Sequence, residues 1–245
     1  MSLYNDYGII FKIRNFSEAD KIISILTKNS GRVEAIGKGA RRPTSRKTSS
    51  IDLFNEGKFS FAKGKNLDIL IEVELKDDHE KIKRNLSLSK HLFYFSELID
   101  KFFPETGQGE EIFDDSLELL SNLSSENEGI LQISFELRIL NVGGFGPNLE
   151  TCDLCGDPIK EGIERVPHAG SGIGFICAKH LKGENYTIIE DRVIKILRFI
   201  HSNKFVKTIT LKVSPEDLSK IKKLNKLWIQ SIIGKELKSY KFLQQ

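Results

Sequence analysis

Lys21-Ile22-Ile23-Ser24-Ile25-Leu26-Thr27-Lys28-Asn29-Ser30-Gly31-Arg32-Val33-Glu34-Ala35-Ile36 is the stretch on which the fold turns. Its first seven residues are rich in β-branched side chains, Asn29-Ser30-Gly31 carries turn chemistry, and Arg32–Ile36 reads as the returning strand. Upstream, Ile9, Phe11 and Ile13 alternate with Ile10, Lys12 and Arg14, the period of two that a strand imposes. Downstream, Leu53-Phe54, Lys58-Phe59-Ser60-Phe61-Ala62 and Asn66–Leu75 supply further short strands. About five strands at roughly 8–12-residue spacing, with no long helical stretch between them, predict a small closed β-barrel or sandwich. A barrel also removes exposed sheet edges.

The pattern changes near Asp77. Ile82, Leu86, Leu88, Leu92, Phe93, Phe95, Leu98, Ile99, Phe102 and Phe103 recur at spacings of three and four, which predicts one amphipathic helix ended by Pro104 and Gly107. Phe113–Leu123 predicts a second helix, and Ile130–Leu140 a third, closed by Gly143-Gly144. A looser, turn-rich stretch follows from Phe145 to about Gly183, and helical periodicity returns at Val193–Phe199 and Leu218–Leu237. The expected class is therefore α+β and multidomain, with a barrel over 1–78 and a helical domain over 79–245.

The 245 residues are 29% charged, 39% hydrophobic and 9% aromatic, an ordinary globular composition that argues against disorder, collagen-like repeats and coiled coils. No apolar run approaches the roughly 20 residues that span a bilayer. Met1–Asp6 has neither a basic nor an apolar export region, so the expected compartment is the cytoplasm. In a reducing compartment the three cysteines point to thiols or metal ligands rather than disulfides.

All three fall in one window. Cys152-Asp153-Leu154-Cys155 is a C-x2-C, and Cys177-Ala178-Lys179-His180 is a C-x2-H, with 21 residues between the two pairs. A two-residue gap lets a tight turn aim both side chains at one ion, and two such turns complete a tetrahedral site for a single structural Zn2+. Gly156 suits the backbone of such a knuckle. The alternatives are three incidental thiols, or a site that has lost its metal. A redox C-x2-C fits less well, because Pro158 closes off the helix that should follow. With four protein ligands, no open position is left for an activated water, so the site is read as structural and no catalytic residue is assigned.

The formal net charge of +3 hides strong asymmetry. Lys28–Lys47 carries seven basic residues (Lys28, Arg32, Lys38, Arg41, Arg42, Arg46 and Lys47) against Glu34 alone. Glu105–Glu128 carries eight acids and no Lys or Arg, and Arg198 to the end carries eleven basic residues and three acids. Lys38-Gly39-Ala40-Arg41-Arg42 follows a strand directly; glycines let its backbone approach a ligand, and its cations suit phosphates. Tyr4, Tyr7, Phe11, Phe16, Phe54, Phe59 and Phe61 lie near in sequence, most of the phenylalanines as core, with one or two left to stack on bases. Gly31–Gly39 imitates a P-loop but has five residues between its glycines and Gly39 where Ser or Thr would hold Mg2+. His79, His91, His168 and His201 are scattered, with surface or core roles expected.

Glu18-Ala19-Asp20-Lys21-Ile22-Ile23, Leu26-Thr27, Gly31-Arg32-Val33 and Lys38-Gly39-Ala40-Arg41-Arg42 are followed by Leu137-Arg138-Ile139-Leu140, Gly143-Gly144-Phe145-Gly146-Pro147-Asn148-Leu149, Cys152, Cys155 and Gly156. In this order and spacing the segments resemble the RecO family of bacterial recombination mediators. The likeness is weakest from about 80 to 130 and after 185. The resemblance implies an N-terminal OB-fold and a helical domain with a zinc-binding insertion at about 148–183. It implies binding of single- and double-stranded DNA, strand annealing, partnership with RecR and SSB, and a functional link to RecA, on the nucleoid during repair. His180 stands where such sites often have cysteine. Lys28, Arg32, Lys38, Arg41, Arg42, Arg46 and Lys47 are the expected DNA contacts. Lys220, Lys222, Lys223 and Lys226 either extend that track or attract the acidic tail of SSB. Two competing readings are a protein-interaction scaffold with a purely structural barrel, and a zinc hydrolase with an open coordination position.

Overall fold

Residues 3–15 form one strand, β1 (Leu3–Asn15), that serves two neighbours. Leu3–Ile9 pairs antiparallel with β4 (Glu56–Ala62), and Gly8–Asn15 pairs antiparallel with β2 (Lys21–Thr27). A register shift between Ile10 and Lys12 bends the strand between these duties. β2 returns as β3 (Gly31–Gly37), and β5 (Asp68–Asp77) pairs parallel with β3 and antiparallel with β4. The order β1-β2-β3-β5-β4 leads back to β1, so the five strands close into a barrel. This computed structural model describes residues 2–42, 50–162, 165–169, 173–180 and 188–243.

The barrel is filled by Ile10, Ile23, Ile25, Val33, Ala35, Phe59, Phe61 and Leu70, with Ala40 and Ile51. Each large side chain buried this way contributes roughly 1.5–3 kcal/mol relative to exposure. Alternation holds along β1, yet both faces are buried: Ile10 points inward, while Ile9 and Phe11 are also covered. Leu53-Phe54 is a turn, not the expected strand. Phe54 sits at φ 63°, its N–H donates to the Ile10 carbonyl at 2.6 Å, and the Ile10 N–H donates to the Asn55 carbonyl at 3.1 Å.

The chain divides into two compact units, Met1–Asn122 and Leu123–Gln245. In the first, the helix expected over 82–103 is two: α1 (Glu80–Arg84) and α2 (Leu86–Phe102). Asn85 breaks it in extended backbone and caps α2, its carboxamide oxygen accepting from the Ser87 and Leu88 N–H groups at 3.0 and 3.3 Å. α2 crosses β1, where the Ser96 hydroxyl donates to the Phe11 carbonyl. A short 3-10 turn leads into α3 (Phe113–Asn122).

The second unit is built around α4 (Glu128–Val142), whose Leu131, Ile133, Phe135, Leu137, Ile139 and Leu140 are fully buried. α5 (Asp191–Ser202), α6 (Phe205–Thr208) and α7 (Pro215–Ile233) pack against it, and α8 (Tyr240–Leu243) follows. Ser214 caps α7 by accepting from the Asp217 N–H at 3.1 Å, and Gly234 stops it at φ 74°. The stretch read as loose contains an antiparallel pair, β6 (Arg165–Ala169) and β7 (Ile173–Cys177). Among the described residues, no helix is long and apolar enough to cross a membrane.

Candidate metal centre and nucleic-acid interface

Both cysteine motifs fold into turns that face one another. The first follows an isolated bridge between Thr151 and Pro158, with Cys152 N–H donating to the Asp157 carbonyl at 2.8 Å and Gly156 N–H donating to the Cys152 carbonyl at 2.9 Å. Gly156 takes φ 73°, the left-handed conformation this knuckle needs. The second begins at the end of β7 and continues into a 3-10 turn, Ala178–His180. The Asp153 N–H donates to the Phe175 carbonyl at 2.9 Å, which registers one turn against the other.

The result is a cluster of Cys152, Cys155, Cys177 and His180 whose ligand atoms all lie within 4.8 Å of one another. Cys155 Sγ and Cys177 Sγ are 3.8 Å apart. His180 Nε2 is buried without a hydrogen-bond partner, and a metal bond would satisfy it. Burial works against ionisation of the Cys152 thiol, but N–H groups of Cys155, Cys177 and Leu154 outweigh it and bring the thiol down to about 7. Three thiols and one imidazole in this arrangement suit Zn2+, with every position filled by protein. α7 supports the pocket from below: Trp228 is fully buried, its Nε1 donates to the His168 carbonyl at 3.1 Å, and its ring meets Phe175 edge-on at 5.7 Å. The His168 ring in turn holds Asp153 at 2.9 Å.

The basic run is split by the fold. Lys38, Arg41 and Arg42 are exposed on the loop leaving β3. The turn after β1 holds this loop: Arg41 N–H donates to the Ala19 carbonyl at 3.0 Å, Gly39 N–H to Asp20 Oδ1 at 2.8 Å, and the Arg41 guanidinium to the Ser17 carbonyl. Gly39 adopts φ 68°, which a side chain would strain. The P-loop look-alike over 31–39 is strand β3 and this turn.

Lys28 is exposed at the opposite end of the β2–β3 hairpin, because Thr27 faces Gly31 while Lys21 faces Gly37. Six residues of strand put about 20 Å between the two ends. Arg32 leaves the set of DNA contacts altogether. It is 5% exposed, its guanidinium binds Glu34 at 2.7 Å, Asp100 at 3.0 Å and the Phe103 carbonyl at 2.9 Å, and it lies over the Phe11 ring. A guanidinium so enclosed has no edge for a phosphate. Arg46 and Lys47 lie outside the described residues. In the second unit, Lys220 is held by Glu190 and Glu216, and Lys226 by Glu236 and the Tyr240 ring, while Lys223 is exposed.

Sequence reasoning passed over Asp20 as an anchor of the loop. The signal was present in Ser17-Glu18-Ala19-Asp20, a turn closed by Asp20 N–H donating to Ser17 Oγ at 3.1 Å.

Two family models match the chain: "Recombination protein O N terminal" over residues 1–78 and "Recombination protein O C terminal" over residues 84–241. Among curated relatives, the DNA repair protein RecO of Symbiobacterium thermophilum is 29% identical over 99% of this chain and 97% of its own length. Those of Desulforamulus reducens and Listeria monocytogenes are each 26% identical, over 100% and 97% of this chain and 95% and 92% of their own lengths.

Proposed function

Because the chain belongs to the RecO family, we propose that it is a DNA repair protein whose barrel is an OB-fold for single- and double-stranded DNA. Lys38, Arg41 and Arg42 hold backbone phosphates, and Arg46 and Lys47, next in the sequence, are further phosphate contacts. Bound cations screen the mutual repulsion of two strands, counterions are released, and base pairing drives annealing. No nucleotide hydrolysis and no catalytic residue is required. With RecR, the protein helps RecA load onto SSB-coated single strands in the cytoplasm. Cys152, Cys155, Cys177 and His180 would hold one structural Zn2+, which would tie the two knuckles to each other.

The observation that carries this reading is the loop itself: three exposed cations on a backbone fixed to Ala19 and Asp20 by hydrogen bonds. A preorganised cationic surface binds phosphate without first ordering a chain. The test is annealing of complementary oligonucleotides coated with the cognate SSB, without ATP, at two salt concentrations. Acceleration that fades with salt is expected. No acceleration by folded, zinc-loaded protein would overturn the reading in favour of a scaffold.

A further inference from the structure

The aromatic residues of the barrel have sharply different fates. Phe11, Phe59 and Phe61 are at most 1% exposed, and Phe54 is 6% exposed. Tyr4 stacks on Phe61 at 5.0 Å with its hydroxyl on Asp68, and Tyr7 places its hydroxyl on Glu56 and its ring edge-on to Phe113. Phe16 is different. It lies just past the end of β1 and is 57% exposed, a large apolar ring kept in water.

Its position is tied to the basic loop. The Phe16 N–H donates to the Asp20 carbonyl at 3.1 Å, closing the turn whose Ser17, Ala19 and Asp20 receive Arg41 and Gly39. Phe16 and Arg41 are thus anchored to the same turn, Arg41 through the Ser17 and Ala19 carbonyls and Phe16 through the Asp20 carbonyl, and both side chains are exposed.

We propose that Phe16 is the platform on which an unpaired DNA base stacks while Arg41 holds an adjacent phosphate. The inference rests on the reading of the Lys38–Arg42 loop as a DNA contact. Every base has a π-face, so such stacking carries no sequence code. In a duplex the bases are already stacked on one another, so Phe16 adds to single-strand binding and not to duplex binding. The ring therefore sets the preference for single strands, which charge alone does not.

The test measures binding of oligo(dT) and of a duplex by the full chain at fixed salt. Phe16→Ala is expected to weaken oligo(dT) binding by about 5- to 150-fold, the range of one lost base–aromatic stack, and to leave duplex binding within about 2-fold. Its salt dependence stays that of the parent. In Phe16→Trp, binding is retained and oligo(dT) quenches the added indole, whereas duplex does not; the parent, whose one tryptophan is the buried Trp228, supplies the background signal. Equal loss on both DNAs, no loss on either, or an indole indifferent to oligo(dT) would overturn the proposal. If Phe16→Ala changes nothing while removal of the loop cations flattens the salt dependence, the stacking role alone fails. If removal of the cations also changes nothing, the parent reading fails with it.

Discussion

The Arg32 guanidinium lies 3.0 Å from the Asp100 carboxylate and so joins β3 to α2. Lys12 reaches the same carboxylate at 2.7 Å, and Glu34 takes the other edge of the guanidinium. Breaking a buried pair by removing one partner leaves an uncompensated charge and costs about 3–5 kcal/mol. Arg32→Met is expected to lower stability by about 3 kcal/mol in urea unfolding, whereas Arg41→Ala, on an exposed side chain, changes it by less than about 0.5 kcal/mol. The salt dependence of DNA binding by folded Arg32→Met should equal that of the parent, since Arg32 offers nothing to phosphate.

Asp100 also sets a pH dependence. Burial disfavours its charge, but Lys12 and Arg32 outweigh burial and hold the carboxyl below its ordinary range. The unfolded chain, with a pKa of about 3.9, therefore binds the proton more tightly. The stability from this pair is complete above the unfolded value and is lost as pH falls through the folded one. Urea midpoints between pH 7 and pH 3 should fall less steeply in Asp100→Asn than in the parent. They do not become flat, because Glu56 and Asp68 are also depressed, each against its own burial: Glu56 by Tyr7 and Lys76, Asp68 by Tyr4 and the Gly64 N–H.

Removing a metal ligand should act on the knuckles and the strands they join. Cys152→Ser is expected to reduce retained zinc from about one per chain to none and to lower the melting temperature, as does prolonged chelation of the parent. His180→Cys should keep the metal, because thiolate and imidazole serve the same tetrahedral geometry. Retention of stoichiometric zinc by Cys152→Ser would contradict the ligand assignment.

The two ends of the β2–β3 hairpin should behave differently towards DNA. Lys28→Ala is expected to leave the salt dependence unchanged, because Lys28 stands about 20 Å of strand away from the loop. A loss equal to that of Lys38→Ala would mean that the DNA runs the length of the hairpin.

The strands were legible because period-two alternation survives on a barrel, and Lys21–Thr27 and Gly31–Gly37 form where β-branching and turn chemistry put them. The cysteine cluster was legible because its spacing is local geometry: residues 22 apart in sequence, Cys155 and Cys177, meet through two tight turns. Charge was not legible in the same way. Lys28, Arg32 and Lys38 are close in sequence, yet a strand separates their ends and the alternation of β3 turns Arg32 towards α2. The break at Asn85 was hidden because an apolar pattern does not register a cap. β6 and β7 escaped notice because five-residue strands beside glycines have too little periodicity to read.

Whether the loop holds DNA is read from the salt dependence of single-strand binding by Lys38→Ala/Arg41→Ala/Arg42→Ala. Each phosphate contact contributes about 0.7 to the slope of log affinity against log salt on a single strand. Three lost contacts make the slope shallower by about 2 and weaken binding at low salt across sequences, in protein that melts as the parent does. An unchanged slope in that folded variant would contradict this and remove the loop from the DNA interface.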